Sequence, residues 1–186
     1  TTPAPTTTPA PTTTPAPTTT KAGTTTTKAG TTTNTINILN PPNSDRKYSS
    51  TYLFKGKPMY NDSVLDGKGG WAPGKALIVK GKNTNPWMYI KLGDSVKTVT
   101  GVITQKSYVG RLWASKYKLS YSTDDKTWTY LTETGTTTKI NDAKEWAGNH
   151  KHAEIKHMFS SPIQAQYIKF HPTEHKGSDW IMMRAA

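Results

Sequence analysis

Along residues 116–122 aromatic and apolar side chains alternate strictly with polar ones, and this period of two places Tyr117, Leu119 and Tyr121 on one buried face of a strand. Thr123-Asp124-Asp125-Lys126 then turns the chain, because aspartate side chains hydrogen-bond their own backbone, so residues 128–131 pair back as a hairpin. Short runs rich in β-branched and aromatic residues recur at 87–92, 96–105, 167–171 and 180–184. Helix-length periodicity is nearly absent, so helix is a minor component. Many short strands at this spacing predict an all-β sandwich or jelly roll.

The pattern does not reach the start of the chain. Residues 1–33 contain no Val, Ile, Leu, Phe, Tyr or Trp, so they lack the apolar surface that would offset the entropy of folding. Residues 3–20 are three copies of Pro-Ala-Pro-Thr-Thr-Thr, and two looser units begin at Lys21 and Lys28. Polyproline II has three residues per turn, so a six-residue unit returns each side chain to the same face. Thr with Pro is the composition of mucin-like stalks, with Thr6, Thr7, Thr8, Thr12, Thr13, Thr14, Thr18, Thr19 and Thr20 as expected O-glycosylation acceptors. The expected division is a stalk over 1–33 and a binding domain over 34–186. The alternative reading of such perfect repetition is a strand of an extracellular fibre, with self-association through the stalk.

Composition narrows the setting. There are no cysteines, which removes disulfides, thiol nucleophiles and Cys-ligated zinc. No run of about 18 apolar residues exists to span a bilayer. The chain lacks an initiating Met, and we read it as a mature or fragmentary form of a secreted protein whose targeting segment is absent. The formal charge is +12, of which Lys21 and Lys28 supply two, leaving +10 for the rest. Acidic glycans and anionic headgroups are attracted by such a field, as nucleic acid would be.

Several segments, in order, carry a resemblance to a known family. They are Val64-Leu65-Asp66-Gly67 with Trp71, then 87–93 and 99–105, then Trp113 leading into 117–122 and Trp128. Gly148-Asn149, Pro162-Ile163, Ala165, Tyr167-Ile168-Lys169-Phe170 with Pro172, and Met183-Arg184 complete the series. Together they resemble the discoidin domain, the type C domain of coagulation factors V and VIII. The resemblance implies a galactose-binding-like jelly-roll β-sandwich, with 87–92 and 99–105 as paired strands joined through Leu92-Gly93. It departs from many animal members in lacking the terminal disulfide and in stopping at Ala186, where the family usually adds a few residues.

The resemblance also implies that function sits on loops at one end, which here match 51–58, 71–82 and 106–115. Tyr52, Leu53 and Phe54 beside Lys55 and Lys57 suit an anionic interface or a sugar ring. Trp71, Tyr108 and Arg111 join Tyr52, Phe54, Lys55 and Lys57 as expected ligand-binding residues, Arg111 as a fork of donors for carboxylate or sulfate. Trp113 and Trp87 read as framework aromatics, and Trp71, at a loop mouth, reads both as framework and as a ligand residue. Relatives that bind calcium use carboxylates in the first loops, which nominates Asp62 and Asp66, while Asp66-Gly67 also reads as a turn. Asn61-Asp62-Ser63 is an N-glycosylation acceptor sequence. His150, His152 and His157 with Glu154 lack zinc-ligand spacing, and His150-Lys151-His152 beside two more lysines reads as a solvated basic loop. No nucleophile elbow, phosphate loop or paired-carboxylate motif is present. The expected protein is a non-enzymatic, extracellular adhesion or recognition protein binding cell-surface or matrix glycans or anionic lipids, with no nucleic acid partner. An accessory module of a larger glycan-processing enzyme is the remaining alternative.

Overall fold

The computed structural model describes residues 37–74, 85–108, 113–148, 153–176 and 181–186, and the chain divides into Thr1–Ile36 and Asn37–Ala186. The expected stalk and its threonine acceptors lie outside the described residues, as do Arg111, His150, His152 and 177–180.

Among the described residues the strands are β1 (Arg46–Tyr48), β2 (Leu53–Phe54), β3 (Lys57–Pro58), β4 (Met88–Lys91), β5 (Lys97–Gln105) and β6 (Trp113–Ser122). They continue as β7 (Thr129–Leu131), β8 (Thr136–Thr137), β9 (Trp146–Ala147), β10 (Ile155–Ala165), β11 (Tyr167–Lys176) and β12 (Arg184–Ala185). Two 3-10 turns, Asn43–Asp45 and Ile140–Asp142, are the helical content described. One sheet runs β1-β4-β11-β6-β7-β8 with β9 beside β6, and the other runs β10-β5-β12. All described pairings are antiparallel.

The alternation read from the sequence explains how the sheets close on each other. On β6, Tyr117 and Leu119 are fully buried and Tyr121 packs at the margin of the same core. Register puts Phe170 opposite both Leu119 and Met88, and Ile168 opposite Ile90 and Tyr121, so β4, β11 and β6 present one continuous inward surface. Val102, Ile163, Ala165 and Ala185 of the smaller sheet meet it. Apolar surface excluded from water on both inner faces stabilises this β-sandwich.

One expectation is corrected. Strands 87–92 and 99–105 do not pair: β4 lies in the large sheet and β5 in the small one. Their connection changes sheets at Gly93, whose φ of 125° is a backbone that side-chain-bearing residues rarely adopt. His157 lies on β10, its ring against Tyr117 and Trp146, with Nε2 2.8 Å from the Ala147 carbonyl oxygen.

Two buried arginines tie the chain ends to the sandwich. Arg46 donates to the carbonyls of Pro41, Ser63 and Ala185 and to the Asn40 side chain, and burial holds its pKa down at about 10. Arg184 donates to the carbonyls of Lys106 and Gly67, and burial lowers it also. Satisfied donors make such burial tolerable.

Candidate functional site

The segment 51–60 leaves the core as a two-stranded ribbon. Lys55 and Gly56 form its turn with φ of 50° and 75°, both in the left-handed region that a type I′ hairpin requires. Leu53 pairs with Pro58 and Phe54 with Lys57. Consecutive strand residues point to opposite faces, so Leu53 and Phe54 leave both faces of the ribbon apolar. Leu53 is 57% exposed and Phe54 51%, and Met59 is exposed beside them. Lys55 Nζ lies 5.7 Å from the centre of the Phe54 ring, and Lys57 is exposed on the opposite strand.

The base of the ribbon is held from below. Tyr52 N–H donates to the Ala72 carbonyl at 2.9 Å, and Ala72 N–H donates to the Tyr60 carbonyl at 2.8 Å. Tyr52 stacks on Tyr60 and packs with Ala72 and Met182 in a small satellite core. Tyr52, expected as a ligand residue, is 9% exposed and serves this base instead.

Of the two readings of Trp71, the framework one holds and the ligand one is corrected. Trp71 is wholly buried, stacked on Tyr48 at 5.7 Å, and its indole N–H donates to the Ser50 carbonyl. Its backbone bridges Asn61 and Met183. A side chain with no surface cannot meet a ligand, so Trp71 is a keystone beneath the loops.

Tyr108 holds its expected position at the surface, 64% exposed. Its N–H donates to the Gly69 carbonyl, which also accepts from Ser107 Oγ. Ribbon base and Tyr108 are thus both anchored on the one segment 69–72. Trp113, read as framework, is only partly buried and has Lys106 Nζ 5.6 Å over its ring, adding an aromatic-cation pair to this end. Its strand-like context gave no signal that it stands at a loop mouth.

The two candidate calcium residues are engaged otherwise. Asp62 accepts from the Asn43 side chain and the Val64 N–H. Asp66 takes a left-handed turn, φ 60°, and exchanges two 2.8 Å bonds with the Gln105 side chain. Asp62 lies in the field of Arg46 and Arg184, and Asp66 in that of Arg184. Among the described residues no three acidic or histidine side chains converge. This donor set does not fit a calcium ion, which takes six to eight oxygens. At the acceptor sequence for N-glycosylation, Asn61 is exposed while Ser63 is buried, bonded to Tyr48 and Arg46.

A second aromatic group lies on the outer face of the large sheet. Lys169 Nζ sits 3.2 Å from the centre of the Trp128 ring, 4.8 Å from Trp87 and 5.8 Å from Tyr89. Burial lowers its pKa to about 8, with Asp125 opposing. Tyr89 donates to Asp125 at 2.8 Å. Residues 167–171 read as a strand, with no face assigned to Lys169. The sequence pattern held no signal that residues 87, 89, 128 and 169 meet.

Comparison with known proteins places this geometry. Residues 46–186 match the F5/8 type C domain. The EGF-like repeat and discoidin I-like domain-containing protein 3 of Mus musculus is 36% identical over 90 residues, covering 47% of this chain and 18% of that protein. Discoidin II from Dictyostelium discoideum superposes with a TM-score of 0.52 at 21% identity, over 75% of this chain and 52% of that one. The family 32 carbohydrate-binding module from C. perfringens NanJ, solved with galactose, superposes with a TM-score of 0.53 at 14% identity, over 79% and 96%. At these identities the structural likeness is one of fold. The chain spans less than a fifth of the curated relative's length.

Proposed function

We propose that this chain, which belongs to the F5/8 type C domain family, is a non-enzymatic extracellular recognition module whose 53–58 ribbon anchors it to anionic membrane surfaces. The observation that carries the reading is Leu53 and Phe54 standing exposed on a turn that presents Lys55 between them and Lys57. Apolar tips gain about 1.5–3 kcal/mol for each Leu or Phe fully removed from water. Each lysine near a negative leaflet adds about 1 kcal/mol. The remaining positive charge steers the encounter, so binding weakens as salt rises.

A glycan on the same loops is the second reading, favoured by the exposed Tyr108 ring beside Lys106 and Trp113. The O-glycosylated stalk belongs to this proposal as the spacer that displays the module. No helix among the described residues is long and apolar enough to cross a membrane.

Co-sedimentation with phosphatidylcholine vesicles, with and without phosphatidylserine, tests the reading. Binding is expected only with phosphatidylserine, reduced by 0.5 M salt (about a 4 Å screening length) and abolished by Phe54→Asp. Binding to arrayed glycans with none to vesicles would replace it with the second reading.

A further inference from the structure

At the opposite end of the sandwich lies a cleft of about 570 Å³, inside the range of roughly 300–1,000 Å³ typical of small-ligand sites. Its position follows from register. Ile163 and Ala165 of β10 pair with Val99 and Lys97 at the start of β5, whereas Lys106 and Tyr108 follow its end. At about 3.3 Å per residue the two ends are roughly 25 Å apart along the strand.

One wall of the cleft is a bulge. Between the pairs Met158 with Gly101 and Ile163 with Val99, four residues, Phe159, Ser160, Ser161 and Pro162, oppose Thr100 alone. They leave the ladder and line the cleft. Thr132, Glu133 and Thr134 of the β7–β8 connection, with Thr136 of β8, line it as well. The floor is Trp146, fixed by Lys144 Nζ at 4.3 Å over its ring and by the edges of Phe159 and His157.

We infer that this cleft is a binding site for a neutral oligosaccharide, separate from the loop end. The chemistry on its walls selects that occupant. Glu133 and Lys144 are the charged residues among those lining it, and they pair at 2.6 Å, so the cleft is neutral in a strongly cationic protein. An ammonium beside a carboxylate donates to and accepts from a vicinal diol at once, the bifunctional group that sugars carry. Ser160, Ser161 and three threonines add hydroxyls of the same two-way capacity. Tyr121 and Phe159 supply apolar surface for the C–H faces of a ring. An added peptide strand is disfavoured, because Pro162 lacks an N–H and the bulge breaks the repeat that strand addition needs. An anionic ligand would have to desolvate Glu133 against its own charge.

The test is a titration of the full ¹⁵N-labelled chain with maltotriose, cellotriose, tri-N-acetylchitotriose and a β-1,4-linked galactotriose, followed by amide shifts. At least one is expected to move amides of 132–136, 144–146 and 158–164 and leave 53–58 unmoved. Glu133 is 72% exposed at its side chain, so Glu133→Gln should leave the thermal midpoint unchanged while weakening binding about tenfold, the scale of a lost bond to a charged group. Phe54→Asp should leave this binding intact. Shifts confined to the loop end, tighter binding of a trigalacturonate than of every neutral sugar, or no shift with any of the four at about 20 mM, where a site of roughly 1 mM Kd would be nearly saturated, would each overturn the inference.

Discussion

The two ends of the sandwich leave its main ladders in different ways. At the loop end a separate two-stranded ribbon, with a two-residue turn in left-handed backbone, thrusts Leu53 and Phe54 into solvent among lysines. At the cleft end a four-residue bulge inside β10 brings Phe159 and two serines to a cleft also lined by Trp146. The first surface is convex, apolar and cationic; the second is concave, hydroxyl-lined and balanced in charge. Surface character is therefore set where the chain leaves the ladders of the two main sheets, while the inward alternation of β4, β6 and β11 is indifferent to it.

The largest way to separate the ends is to remove the keystone of one. Trp71→Ala deletes a fully buried indole that stacks on Tyr48 and donates to the Ser50 carbonyl, and is expected to cost about 3–5 kcal/mol of stability. Because the 51–60 ribbon hangs on Ala72, vesicle binding should fall further than stability alone explains, with cleft titration retained at low temperature. Denaturant unfolding alongside both binding assays checks this. If the two activities fall in step, the ends are not separately supported.

Acid should strike both ends together, since the group concerned lies on the sheet they share. His171 is buried with Nε2 2.9 Å from Ser120 Oγ, Tyr130 tilted against its ring, and Lys169 and Lys118 nearby. Burial, then those two cations, pushes its pKa from 6.5 down to about 3. The unfolded chain therefore binds the extra proton between these values, so stability is full above pH 6.5 and declines as pH falls toward 3. The slope is at most about 1.4 kcal/mol per pH unit for one proton. Thermal melts from pH 7 to 4 should show the decline, and His171→Leu should flatten this component. An unchanged slope in that variant would assign the acid sensitivity elsewhere.

What could be read from the sequence was what alternation encodes. Residues 116–122 carry an unbroken period of two, and 117–122 pair in register with 167–172. β10 escaped because Ser160-Ser161-Pro162 is written as a turn, and it is in fact a bulge inside a strand. Tyr52 reads as a surface residue and Trp71 stays ambiguous because loop aromatics carry no period that reveals which way they face. Phe54 and Lys57, two residues on either side of a turn, needed no distant partner to stay exposed. The cleft needed four segments separated by up to 43 residues, Tyr121 to Gln164, and no local pattern joins them.

The smallest prediction sharpens the comparison at the ribbon itself. Gly56 has open space around its missing Cβ, so a side chain there meets no steric clash, and any effect must come from its φ of 75°. Forcing an L side chain into that region costs about 1–2 kcal/mol. A valine, stiff at its branched Cβ, should open the turn rather than bear that cost. The ribbon has two residue pairs and projects from the core, so this loss should stay local. Gly56→Val is therefore expected to reduce vesicle binding roughly five- to thirtyfold, the same 1–2 kcal/mol expressed as affinity. The global melting temperature and the cleft titration should be unchanged. Gly56→Asn, which tolerates left-handed backbone, should recover most of the binding. If Val and Asn bind alike, the presentation of Leu53 and Phe54 does not depend on the turn, and the loop end owes its character to composition alone.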